Sequence, residues 1–253
     1  MVKTASEYWK VMLDMTPFFG KLVNHVNSIL YNNAIGHQTL IKNINLISDY
    51  TDTASLRFTL LLAAFDNLKE IENSAKIELT FDEEYEVSFR AEYHFFAFIT
   101  FVTSFLNSLA WLLKLVYNIK FDRMKRTDID LRKNKEDFLK QIEIKNKPLH
   151  IFILKNLDEW IEDINDYRDT LLHRQELKLI GINERKLYMP IHPEIVASVD
   201  IDIESEEKHE KSIKEAWQKI GDMTKPMIPY CNKILIETAK FCDVISEKLF
   251  KEL

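Results

Sequence analysis

The sequence predicts a mainly helical chain with a small β insertion, on three observations. Glycine (4) and proline (6) are scarce among the 253 residues, so few tight turns are available to interrupt long helices. Apolar residues recur three and four apart along most of the chain, the period of helices with one buried face. Residues 176–191, ELKLIGINERKLYMPI, instead alternate about Gly181–Glu184, the pattern of a β-hairpin. With 46% hydrophobic and 29% charged residues, the composition is that of a globular protein and excludes a disordered one. No internal repeat or low-complexity linker divides the chain, so residues 1–253 read as one α-rich domain.

The first helix spans 6–33, with a break or kink near Pro17 and Gly20. A second helical pattern runs over 38–75, and the polar cluster Ser48–Ser55 is a candidate interruption. Thr80 followed by Glu83 reads as a capping box, opening a long helix to about Ile119. Residues 120–147 change character, with ten Lys/Arg against six Asp/Glu and a possible short helix from Asp128 to Lys140. This locally basic stretch is either a solvated connector or an RNA-backbone surface carrying Lys120, Arg123, Lys125 and Arg126. Pro148 suits the first turn of a helix that runs to about Arg174. After the hairpin, 194–203 adds an extended piece. Ser205 caps a charged helix to Ile220, and a last helix covers Pro226–Leu253.

The net charge of −6 argues against non-specific coating of nucleic acid, so any such contact requires a local patch. Cys231 and Cys242 lie eleven residues apart in one helical segment, about 16 Å along the axis, too far to pair there. Buried free thiols suit a reducing cytoplasm, and the N-terminus MVKTASEYWKVMLDM has no leader core. The uncharged run Phe95–Leu113 meets the length of a spanning helix. Its polar stripe of Thr100, Thr103, Ser104, Asn107 and Ser108 favours a buried bundle helix instead.

The chemistry is expected on the helix beginning at Pro148. At 100° per residue, Ile153, Leu154, Leu157, Ile161, Ile164, Leu171 and Leu172 share one face, and Arg168 falls near its centre. A guanidinium keeps its charge, so there it must meet an acid, a polar pocket or another chain. Asp166, Asp169 and His173 lie on the polar face, with Asp169 four residues before His173 and so able to orient its imidazole. Arg168 and His173 point about 140° apart on an ideal helix.

The string Tyr167-Arg168-Asp169-Thr170-Leu171-Leu172-His173-Arg174 resembles the signature of the HEPN superfamily, an Arg, a polar follower and a His after four to six intervening residues. The resemblance covers roughly 80–175, with Asp169 where Asn is commoner. It implies an up-and-down helical bundle that pairs as a homodimer through its motif helices. It also implies a metal-independent endoribonuclease of a bacterial or archaeal cytoplasm, without cofactor, acting as a toxin or phage-defence effector beside an antitoxin protein. In that chemistry His173 is general acid or base and Arg168 binds the scissile phosphate, with Asp169, Asp166 and Asn107 in support. Two other readings stand beside it: a non-catalytic HEPN-like module binding a nucleotide or a protein, and a membrane-associated helical protein. His94 is a further candidate for the pocket. The remaining histidines are scattered, and Trp9, Trp111, Trp160 and Trp217 read as core or interface anchors.

Overall fold

The computed structural model describes residues 3–34, 43–74, 80–120, 129–173, 187–189 and 225–253. Helix accounts for 87% of the described residues and no strand is found among them, which establishes the mainly helical class.

The first expected helix is two. Helix α1 covers Ala5–Met15 and α2 covers Pro17–Ala34. Between them Thr16 turns its N–H and its hydroxyl back to the Met12 carbonyl, at 2.9 and 2.7 Å. Pro17 then takes the first position of α2, where a missing N–H costs nothing. The Phe18 N–H, one of the donors a helix start leaves without a partner, donates to Asp243 Oδ1 at 2.6 Å. At Gly20 an added Cβ would stand 3.0 Å from Leu13 Cδ2, so the bend is closely packed.

Helix α3, Ile44–Ser74, runs unbroken through the Ser48–Ser55 cluster. Thr51 and Ser55 donate their hydroxyls to the carbonyls of Ile47 and Thr51, at 2.7 and 2.9 Å. Buried hydroxyls are thus satisfied without ending the helix.

Helix α4, Phe81–Val116, opens with the expected capping box: Thr80 N–H donates to Glu83 Oε2 at 2.9 Å, and Glu83 N–H to Thr80 Oγ1 at 3.4 Å. It stops at Val116, short of Ile119. Asn118 takes a left-handed φ of 48°. The N–H groups of Asn118 and Ile119 then donate to the Leu115 and Lys114 carbonyls, at 3.2 and 2.9 Å. Asparagine here occupies the place glycine usually holds at such a stop.

The ring pairs Tyr50–Trp111, Phe58–Phe105 and Phe65–Phe98 climb α3 as they descend α4, so the two helices run antiparallel. By length and composition α4 qualifies as a membrane-crossing helix, but 61% of its apolar window is buried inside the bundle.

The expected helix over Asp128–Lys140 is displaced. Residues 129–135 are irregular, and α5 spans Glu136–Lys145. Ile129 and Leu131 are buried, which turns their neighbours Asp130 and Arg132 toward a cavity described below. The helix expected from Pro148 to Arg174 is three pieces: α6 (Lys147–Asn156), a π turn (Leu157–Ile161) and α7 (Glu162–His173). Asn146 caps α6 by accepting from the Leu149 N–H at 3.0 Å.

Helix α8, Met227–Glu252, packs against α1, α2, α3, α4 and α6. Its Cys231 and Cys242 are buried free thiols, and burial pushes both above the ordinary thiol range. The expected hairpin lies mostly outside the described residues, as do the helix over 205–220 and Trp217. Its described part, Leu187–Met189, forms no strand among the described residues. Tyr188 bridges Pro226 in antiparallel sense, through Met189 N–H to Lys225 O and Met227 N–H to Leu187 O, both 2.8 Å.

Candidate functional site

Helices α3, α4 and α7 and the irregular stretch 129–135 enclose an open cavity of about 490 Å³. Arg57 and Tyr50 come from α3, and Ser104, Asn107 and Trp111 from α4. Asp130, Arg132 and Lys135 come from the connector and Arg168 from α7. The volume lies in the range of small-ligand sites.

Arg168 reaches this wall because of the π turn. A π turn accommodates one residue more than an α turn, so a wheel drawn at 100° per residue loses its phase beyond it. Ile164, Asn165, Tyr167 and Thr170 are buried in α7, and Arg168 beside them keeps 33% of its side chain exposed on the cavity wall. The central position on the apolar stripe expected from an unbroken helix is therefore corrected. Leu154 is likewise exposed.

The charges are unevenly shared. Arg132 holds Asp169 with two nitrogens, Nη1 to Oδ2 at 2.7 Å and Nη2 to Oδ1 at 3.1 Å. Its Nε lies 3.0 Å from Asp130 Oδ2, close enough for an ion pair but not aligned as a hydrogen bond. Arg168 Nη1 donates to the same Asp169 Oδ1 at 3.0 Å. The hydrogen bond from Arg132, above other causes, holds the Asp169 carboxyl below its ordinary range. Burial instead pushes the Asp130 carboxyl up, against the pull of Arg132. Arg57 donates Nη1 to the Ser104 carbonyl and to Ser108 Oγ, the latter at 2.6 Å. Burial works against its charge, and among the described residues no acid pairs with it.

Of the residues singled out in the sequence, Arg168 and Asn107 meet at the cavity, and Asp169 ties Arg168 to Arg132. The Asp169 carboxylate is engaged by two guanidinium groups; the imidazole-orienting role expected for it involves the His173 side chain, which lies outside the described residues. Asp166 is exposed and lines no part of the cavity. His173 closes α7, and its side chain lies outside the described residues. Lys120 is exposed just beyond α4, while Arg123, Lys125 and Arg126 lie outside the described residues. His94 packs edge-on against Tyr93, thirteen residues from Asn107, which is about 20 Å along α4. It does not line the cavity.

Arg57, Arg132, Lys135 and the parallel-stacked Tyr50–Trp111 pair (5.3 Å between centroids) were not legible as site residues. The one signal was Arg57 itself, a cation adjoining the apolar positions Ala54, Phe58 and Leu61 of α3.

A second cavity, of about 370 Å³ beside α1 and α3, has both its lysines paired to one acid: Lys3 to Asp66 at 2.7 Å, and Lys69 to the same carboxylate. Among the described residues no cluster of His, Cys, Asp or Glu is arranged to hold a metal ion. Comparison with protein families, with characterised proteins and with solved structures finds no match to this chain.

Proposed function

We propose that this chain is a HEPN-type endoribonuclease that grips the RNA backbone at the α3–α4–α7 cavity and cleaves it without requiring a metal. The observation that carries the reading is the placement of Arg168. Its guanidinium lines an open, cation-rich cavity and shares a single carboxylate oxygen with Arg132, so it keeps donors for a phosphate. In the proposed step the RNA 2′-oxygen attacks the adjacent phosphorus and the P–O5′ bond breaks. The products are a 2′,3′-cyclic phosphate and a 5′-hydroxyl. His173 takes the 2′-OH proton or returns one to the leaving 5′-oxygen. Arg168 stabilises the charge that builds on the phosphate oxygens. A homodimer through α7 and a cognate antitoxin belong to the same proposal.

The test is incubation of the full chain with total RNA in EDTA, beside Arg168→Ala and His173→Ala. Wild type is expected to cut, and each variant to lose about 10²–10³-fold in rate, the usual cost of removing one transition-state group. Equal behaviour of the three proteins removes the nuclease.

A second reading, a non-catalytic nucleotide-binding module, is favoured by one observation. The cavity wall carries the stacked Tyr50–Trp111 pair, a flat face of the kind on which a base stacks. Nucleotide binding without RNA cleavage would select it.

A further inference from the structure

The chain carries a formal charge of −6, yet its α3–α4–α7 cavity gathers four cations, Arg57, Arg132, Lys135 and Arg168, around Asp130. Asp169 adds a second carboxylate at the edge. Arg132 holds both acids, and Arg168 shares one. Arg57 has only the uncharged Ser104 carbonyl and Ser108 hydroxyl, and among the described residues no carboxylate stands within ion-pair distance of it. Both bonds use Nη1, so the rest of the guanidinium fork makes no other hydrogen bond among the described residues. A guanidinium does not escape burial by losing its proton, and an uncompensated charge withdrawn from water is costly. The serines of α4 therefore position Arg57 without neutralising it.

Asn107 stands on the same wall, one turn of α4 from both Ser104 and Trp111. Its buried Oδ1 has no hydrogen-bond partner among the described residues, an arrangement that proteins seldom leave unfilled. A side-chain amide can offer either end, so it suits an oxygen of an anion or a hydroxyl beside one.

We propose that Arg57 is a second phosphate ligand of this cavity. One phosphate group, as inorganic phosphate or as a backbone diester, is held between Arg57 on α3 and Arg168 on α7, with the Asn107 amide beside it. The inference deepens the reading of this site given above. It rests on Arg168 being a phosphate ligand, and not on His173 or on strand cleavage. Arg132 acquires a separate role. Bound to two carboxylates, it is a positioning residue that anchors Asp169 and, through it, Arg168.

The test uses the full chain with two probes, inorganic phosphate and a short single-stranded oligoribonucleotide made uncleavable by 2′-O-methyl groups. Phenylglyoxal labelling of Arg57 in the wild-type protein, read by peptide mass spectrometry, is expected to fall by more than half at saturating probe. Protection by both probes supports a general phosphate seat. Protection by the oligonucleotide alone supports the same seat and assigns it to nucleic-acid backbone. Unchanged labelling with both probes overturns the proposal. In parallel, Arg57→Gln is expected to bind the oligonucleotide about tenfold more weakly, the scale of one hydrogen bond to a charged group. Its salt dependence should be shallower by about 0.7 in log–log slope, one phosphate contact on a single strand. Arg57→Lys should restore the slope. A folded Arg57→Gln protein with wild-type affinity and slope overturns the proposal as well. Cleavage of RNA without Arg57 protection would sink this inference and leave the nuclease standing; protection without cleavage would do the reverse.

Discussion

The two segments that face each other across the cavity are built in opposite ways. Helix α4 runs 36 residues without a break, capped at its start and turned off at its end by a left-handed asparagine. The facing segment changes from α6 to a π turn to α7 within residues 147–173. The regular helix supplies dry packing on most of its length and no charge at the cavity, only Ser104, Asn107 and the Trp111 ring, with Ser108 holding Arg57 from beside it. The facing segment supplies Arg168, one of the cavity's four cations, beside Arg57 of α3 and Arg132 and Lys135 of the connector. The contrast teaches where order is spent: α4 fixes the bundle, and the phase slip in its partner brings an arginine out of the core onto an accessible wall.

The sharpest way to break the α4 side is Phe105→Ala. Phe105 is fully buried and meets Phe58 of α3 and Phe19 of α2 edge-on, at 5.2 and 6.5 Å. The truncation is expected to cost about 3–5 kcal/mol. In thermal unfolding followed by circular dichroism this lowers Tm by roughly 10 °C or more. A shift within two degrees would mean that α4 is not the keystone of the packing.

A smaller loss is expected from Thr80→Ala, which removes half of the capping box. It should cost about 1 kcal/mol, with no change in oligonucleotide affinity, because the cap lies far from Asn107. An affinity change would show that the two sides are coupled along the helix.

The smallest effect sharpens the α7 side. The Asp169 carboxyl is held below its ordinary range by Arg132. Its contribution to stability is therefore complete above the unfolded value of about 3.9 and is lost as pH falls through the lower folded value. With 41% of the Asp169 side chain exposed, screening keeps the effect modest. Asp169→Asn should flatten this limb of the stability profile below about pH 4, while Thr80→Ala should leave it unchanged. An identical acid limb in Asp169→Asn would remove the carboxylate clamp from the account.

Much of the architecture was legible because its signals are local. Thr80 with Glu83, Pro17 and Pro148 mark helix starts through the N–H groups that a first turn leaves unpaired. The stop at Asn118 was misplaced because an asparagine announces a left-handed turn less plainly than a glycine. Arg168 was legible as a cation out of place among apolar neighbours, but its exact setting was not. The wheel assumes 3.6 residues per turn, and the extra residue of the π turn is invisible to that period. Arg57, Arg132 and Tyr50 escaped notice because their meaning depends on partners distant in the chain: Ser108 for Arg57, Asp169 for Arg132 and Trp111 for Tyr50. The connector guanidinium of Arg132 that engages Asp169 comes from 37 residues away, beyond the reach of helical spacing.

The paired amides of Met189 and Met227 act as a clasp, fastening Leu187–Met189 to the foot of α8, while Glu72 accepts the Leu187 N–H at 2.8 Å and pins the clasp to α3. Whatever residues 190–224 contain, both of their ends are tethered to the same spot on the bundle. The entropic cost of bringing two points of a chain together rises only logarithmically with the residues between them, by about 0.6 kcal/mol for each doubling. The clasp thus fixes the positions of Met189 and Lys225 on the bundle by bonds of its own, independent of the number of residues that separate them in the sequence.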